Sequence, residues 1–102
     1  WFGGSPVIAA HFGGIGFTDD VIEYLCRQNI YFDTAFGYAS VPKPMLSKLI
    51  EKHGVDKILF ASDCPWHNPA LERRLVESLG LSDNEKEAIY HINAEKLLNI
   101  EI

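Results

Sequence analysis

Three short apolar runs punctuate the chain. The first is Pro6-Val7-Ile8-Ala9-Ala10, closing on His11; the second is Ile30-Tyr31-Phe32, closing on Asp33 and Thr34; the third is Ile58-Leu59-Phe60-Ala61-Ser62, closing on Asp63. Runs of this length predict strands over 6–11, 30–34 and 57–63. The first and third have the profile of strands buried on both faces. Between the strands, apolar residues recur at helical spacing. Val21, Ile22, Leu25 and Cys26 predict a helix over about 18–28, capped by Thr18, with Asp19 and Asp20 in its first turn and Asn29 closing it. Met45, Leu46, Leu49 and Ile50 mark a second helix that Pro44 opens and Gly54 stops. After the third strand Asn68 caps and Pro69 starts a third helix. Its inward side is Leu71, Leu75, Val76 and Leu79, and Gly80 ends it. Ser82-Asp83-Asn84-Glu85 reads as a capping box, so another helix begins there, with Ala88, Ile89 and Ile92 as its apolar face. Asn93 breaks or bends it before a short last helix holding Leu97 and Leu98.

The order β-α-β-α-β-α-α implies an α/β fold, with parallel strands covered by helices. Asp33 lies 22 positions after His11, and Asp63 lies 30 after Asp33. Each step fits one strand-plus-helix unit of a (β/α) barrel. Three units do not close a barrel of eight strands, and strands this apolar leave edges and an inner face uncovered. The 102 residues, one domain at most, are therefore expected to pair with copies of themselves or to be the tail of a longer protein. The opening Trp1-Phe2-Gly3-Gly4-Ser5, loop-like and without Met, fits a piece of something longer.

Candidate chemistry sits at the strand ends. Alternation puts Val7, Ala9 and His11 on one face, and Leu59, Ala61 and Asp63 on one face. Small Ala9 and Ala61 suit a crowded interior, with His11 and Asp63 at its mouth. A buried carboxylate is costly unless it is paired or binds a metal. A histidine and an aspartate on neighbouring strands can hold a divalent cation, zinc or manganese, or act as a general base and its partner. The plainer alternatives are a buried His11 bonded to a backbone carbonyl, and Asp63 and Asp33 as residues that cap turns. Gly13, Gly14 and Gly16 let the loop after His11 turn tightly, but lack the spacing of a dinucleotide fingerprint. Trp66 and His67 border either a pocket or a surface loop. His53 sits at a helix end, where a cation suits the dipole. His91 reads as structural and Asn93 as a scaffold residue bonding loop backbone. Cys64 has no base at a recognisable offset and is a weak candidate for a catalytic nucleophile.

Composition narrows the classes. A net charge of −5 supplies no basic footprint, which argues against nucleic acid. No apolar run approaches the roughly 20 residues of a membrane span, and no signal-peptide pattern is visible. Cys26 and Cys64, in different settings, read as free thiols in a reducing cytosol, so the expected location is cytoplasmic.

Four stretches resemble one family. Val7-Ile8-Ala9-Ala10-His11-Phe12-Gly13-Gly14 resembles the "H-x-G-G" sixth strand of the amidohydrolase-related, metal-dependent TIM-barrel hydrolases. Asn29-Ile30-Tyr31-Phe32-Asp33-Thr34 is similar to their seventh strand, Ile58-Leu59-Phe60-Ala61-Ser62-Asp63-Cys64-Pro65 to their eighth-strand "I-L-F-G-S-D-x-P", and Asn93-Ala94-Glu95-Lys96-Leu97-Leu98 to their closing "N-A-x-x-L-L" helix. Ala61 stands where the family often has Gly, and Phe12 where a glycine is common. The resemblance implies that residues 1–102 are the C-terminal part of such a barrel, its strands six to eight. It implies that Asp63 binds the metal and handles the proton of the attacking water, and that His11 is a metal ligand or a base beside it. The implied cofactor is a divalent metal, zinc foremost, and the implied partner is a small-molecule substrate. The family's His-x-His pair is absent from this chain. The activity implied is cleavage of an ester, lactone or amide by metal-activated water. The alternatives are the family's non-oxidative decarboxylation of aromatic or unsaturated acids, and a non-catalytic assembly module.

Overall fold

The short strands β1 (Ile8–Ala9), β2 (Tyr31–Asp33) and β3 (Ile58–Leu59) form one parallel sheet in the order β1-β2-β3. Ile8 pairs with Tyr31 and Ala9 with Phe32; Phe32 pairs with Ile58 and Asp33 with Leu59. The structure, a computed structural model, describes residues 6–14, 16–35, 37, 41–62, 64 and 68–99.

The helices follow the strands in the expected order, with differences at their ends. α1 begins as an α-turn at Thr18–Asp20 and continues as a π-helical turn, Val21–Leu25, in which Cys26 N–H donates to the Val21 carbonyl. Thr18 is buried inside the first turn and is not its cap. The helix stops sooner than expected, because Arg27 (φ 70°) takes the left-handed conformation that the sequence suggested for Asn29. α2 (Lys43–His53) carries Pro44 in its first turn, buries Leu46, Leu49 and Ile50, and ends at Gly54 (φ 99°), whose N–H reaches the Ile50 carbonyl. α3 (Pro69–Glu77) is capped by Asn68, whose side chain accepts from Ala70 N–H at 2.9 Å. α4 (Asp83–Glu87) shows both bonds of the capping box, Glu85 N–H to Ser82 Oγ and Ser82 N–H to Glu85 Oε1. No break occurs at Asn93. A π-helical turn, Ala88–Ile92, passes straight into α5 (Asn93–Leu98).

The strands are shorter than their apolar runs. Residues 60–62 leave the ladder, and β1 ends before His11, which opens a single 3₁₀ turn, His11–Gly13. The sheet is buried where the helices meet it. Phe32 and Ile58 are fully buried, and Phe12, Val21, Leu46, Leu49, Val76 and Ile89 pack around them. Each such side chain contributes about 1.5–3 kcal/mol. Ile8, in the edge strand β1, is exposed rather than buried on both faces. Among the described residues no helix is long and apolar enough to cross a membrane.

Candidate active site at the carboxyl ends of the strands

Parallel strands deliver the ends of β1, β2 and β3 to the same edge, but the strands that lead to His11 and Asp63 are not neighbours as expected, because β2 lies between β1 and β3. The register puts His11 beside the residues that follow Asp33. The alternation expected to carry Val7, Ala9 and His11 on one face does not reach His11. His11 and Phe12 both have left-handed backbones (φ 57° and 50°), followed by Gly13 at φ 88°. The chain turns here instead of extending. That turn drives the Phe12 ring into the core.

Hydrogen bonds hold His11 in this conformation. Oδ1 of Asp33 accepts from His11 N–H at 2.9 Å and from Ala35 N–H at 3.1 Å. The Ala35 carbonyl in turn receives the His11 ring at Nδ1, 3.2 Å away. A carbonyl oxygen only accepts, so Nδ1 carries the proton and Nε2 carries the lone pair of the uncharged ring. Ligating imidazoles are commonly held this way, one ring N–H fixed on a carbonyl.

Thr34 does for the third strand what Asp33 does for the first. Its Oγ1 donates to the Ala61 carbonyl at 2.8 Å and accepts from Ala61 N–H at 2.9 Å. A side chain thus replaces a backbone partner where β3 has left the ladder. Ala61, two residues before Asp63, is anchored by it. Asp63 itself lies outside the described residues, as do Trp66 and His67 and the loop aromatics Phe36 and Tyr38. Among the described residues no three His, Cys, Asp or Glu side chains converge as a metal site.

The other two described histidines, His53 and His91, serve the scaffold. His53 is not a charge facing a helix end. Its Nδ1 accepts from Arg27 N–H at 3.0 Å and its Nε2–H donates to the Ile30 carbonyl at 2.9 Å, with the ring 4.4 Å from that of Phe32. His91 sits between Glu87 and Glu95 on one helical face, which raises its pKa above the usual 6.5: the Glu95 hydrogen bond contributes most, then that of Glu87. Cys26 is buried and Cys64 exposed, both free thiols. Burial pushes the Cys26 thiol up. The sequence reading passed over Glu72, a fully buried carboxylate. The signal was present, since Glu72, Leu75 and Val76 fall at i, i+3 and i+4 on the inner side of α3, with Leu79 at i+7 just past its end. A cavity of about 340 Å³ lined by Ile50, Gly54, Val55, Leu79 and Leu81 lies at the amino end of β3, away from His11.

The comparisons with known proteins agree with this architecture. The family model described as amidohydrolase matches residues 2–100. The 2,6-dihydroxybenzoate decarboxylase from Rhizobium superposes with a TM-score of 0.73 at 18% identity, over 92% of this chain and 34% of that one. A protein from Staphylococcus aureus, provisionally described as an amidohydrolase, gives 0.69 at 27% identity, over 93% and 35%. A dihydroxybenzoic acid decarboxylase from Polaromonas sp., solved with bound manganese and the inhibitor 2-nitroresorcinol, gives 0.73 at 21% identity, over 92% and 33%. The chain spans about a third of the length of these structures, and its three strands and their helices are a partial TIM barrel. No curated protein sequence matches it significantly.

Proposed function

Because this chain belongs to the amidohydrolase family, we propose that residues 1–102 form the C-terminal part of a barrel enzyme and bring His11 and Asp63 to its divalent-metal site. The enzyme's substrate is a small molecule, and its reaction the hydrolysis of an ester, lactone or amide. One observation carries the proposal: the His11 ring is fixed through Nδ1–H on the Ala35 carbonyl, which leaves the lone pair on Nε2. His11 and Asp63 would hold the cation, zinc or manganese; their imidazole and carboxylate donors suit either. When bound, the cation supplies Lewis-acid polarisation and acidifies water. Asp63 accepts the proton that the attacking water loses. His11, through Nε2, stabilises charge that develops at the substrate. Ligands beyond these two come from the remainder of the barrel or from a second copy of the chain. The reaction takes place in the cytosol, where Cys26 and Cys64 remain thiols.

Decarboxylation is the second reading. Support for it comes from the decarboxylases among the similar structures, one of them solved with a substrate-named ligand, 2,6-dihydroxybenzoate. In that case the cation held by His11 and Asp63 would offset the charge of the substrate carboxylate, and His11 would assist protonation of the carbon that loses it.

The test is to supply the complete barrel carrying these residues with lactones, esters and amides, and separately with hydroxybenzoates. Acid release that a chelator abolishes and added zinc or manganese restores supports hydrolysis. Carbon dioxide release from hydroxybenzoates supports the second reading. Activity untouched by chelation, or retained in His11→Asn, overturns the shared metal site. A loss of about 10²–10⁴-fold is expected for His11→Asn with the fold unchanged.

A further inference from the structure

We propose that Asp33 is a positioning residue for His11, and that it determines which imidazole nitrogen works. The inference deepens the reading of His11 given above and rests on it for its functional meaning. The geometry is a closed ring of three contacts. One carboxylate oxygen of Asp33 holds the His11 amide at 2.9 Å and the Ala35 amide at 3.1 Å, and the Ala35 carbonyl holds His11 Nδ1–H at 3.2 Å. Asp33 therefore touches His11 once, at its backbone amide, and bears on the ring indirectly by holding the amide of Ala35, the residue whose carbonyl takes Nδ1–H.

Backbone strain explains why such a clamp is needed. A left-handed conformation is strained for any residue with a Cβ, and His11 and Phe12 adopt it in succession. Such strain persists only where the surroundings over-determine it. Among the described residues the turn has its own bonds, Gly13 N–H to the Ala10 carbonyl and Gly14 N–H to the His11 carbonyl, and two further constraints. Phe12 is locked in the core, and a carboxylate oxygen accepts the amide of the first strained residue. Without that oxygen, the His11 backbone relaxes toward the extended form that continues β1, and its ring leaves the Ala35 carbonyl. The proton is then no longer pinned to Nδ1, and the two tautomers mix.

The experiment is nitrogen-15 NMR of the His11 imidazole in the complete barrel carrying these residues, with no metal or substrate present. The wild-type ring at a pH where it is uncharged is expected to show one protonated nitrogen, Nδ1, and one with a lone pair, Nε2. Asp33→Ala is expected to move both signals toward a common averaged position. Asp33→Asn keeps an oxygen acceptor for both amides and is expected to restore the wild-type pattern. Should the alanine variant not fold, Asp33→Glu, whose longer arm misplaces the oxygen, is expected to show the same averaging. Thr34→Val removes the neighbouring Ala61 bonds and is expected to lower stability while leaving the His11 signals in place. Unchanged His11 signals in Asp33→Ala or Asp33→Glu overturn the proposal. So does averaging in Thr34→Val, which would make the effect general loosening. The readout needs no turnover, so it can fail while the activity stands, or hold while the proposed activity fails.

Discussion

The amide of Phe60 donates to the carbonyl of Ile89 at 3.0 Å. In an α-helix that carbonyl would be taken by the amide of Asn93. The π-turn at Ala88–Ile92 instead sends the Asn93 amide to Ala88 and releases Ile89 for the strand. The Asn93 side chain completes the seam, its Nδ2 donating to the carbonyls of Val55 at 2.6 Å and Ile58 at 2.9 Å. The outer edge of β3 is thus covered by its own C-terminal helix, which is one way natural sheets blunt an edge. Asn93→Ala strips both carbonyls of a buried donor and is expected to cost about 2–4 kcal/mol. Asn93→Asp, which sets a carboxylate against two carbonyl oxygens, is expected to cost more. Urea unfolding measures both, and a loss below about 0.5 kcal/mol for alanine would show that the seam contributes little.

His53 offers a second, independent test. Its ring spans the turn between α1 and β2, accepting from Arg27 and donating to Ile30. Arg27 is itself left-handed, so the ring stabilises a strained connection. His53→Leu matches the volume but strands a partly buried amide and carbonyl, at about 1–3 kcal/mol. Faster hydrogen exchange at the Arg27 amide than in wild type is the local signature to look for.

The alternation of strands and helices was readable because each apolar run has a length and a pair of boundaries that only one element fits. Asn68, Gly54 and the Ser82–Glu85 pair act locally, through their own side chains or backbone freedom, so their effects were legible too. The His11 turn was not. Nothing in Ala9-Ala10-His11 forbids extension, and one bond that holds the turn comes from Asp33, 22 positions away. Asp33 read correctly as a residue that caps a loop, but which amides it holds depends on register. His53 misled for the same reason: its partners Arg27 and Ile30 lie in the distant connection between α1 and β2, whereas the helix dipole that suggested a charge is local.

Glycine substitutions separate backbone strain from packing in the loop after His11. Gly13 has φ 88°, and a Cβ there would meet Val21 Cγ2 at 2.9 Å and Phe32 Cε1 at 3.1 Å. Gly16 has φ 80° and nothing within 4 Å of the same position. Gly16→Ala is expected to cost about 1–2 kcal/mol, the backbone part alone. Gly13→Ala adds overpacking against two buried side chains, for about 2–5 kcal/mol in total. Equal losses in the two variants, measured by denaturant unfolding, would mean that the core yields to the extra methyl without penalty.

The pH dependence of the C-terminal helices follows from His91. The ring nitrogen Nδ1 faces Glu95 Oε1 at 2.6 Å and Nε2 faces Glu87, one turn away on either side. Both carboxylates favour the charged imidazolium, so the folded-state pKa lies above the 6.5 of the unfolded chain. A raised pKa contributes stability in full below the unfolded value and loses it as the pH climbs through the folded one. The stability gap between wild type and His91→Gln is therefore expected to be widest below about pH 6.5 and to close on the alkaline side. Added salt should narrow it, since the pairs are at the surface. Glu95→Gln should shrink the gap more than Glu87→Gln, because the Glu95 bond is the larger cause of the shift. Paired unfolding curves near pH 6 and pH 9 decide the matter. A gap that is constant across that range, or that widens with rising pH, would mean that His91 acts through packing and not through its charge.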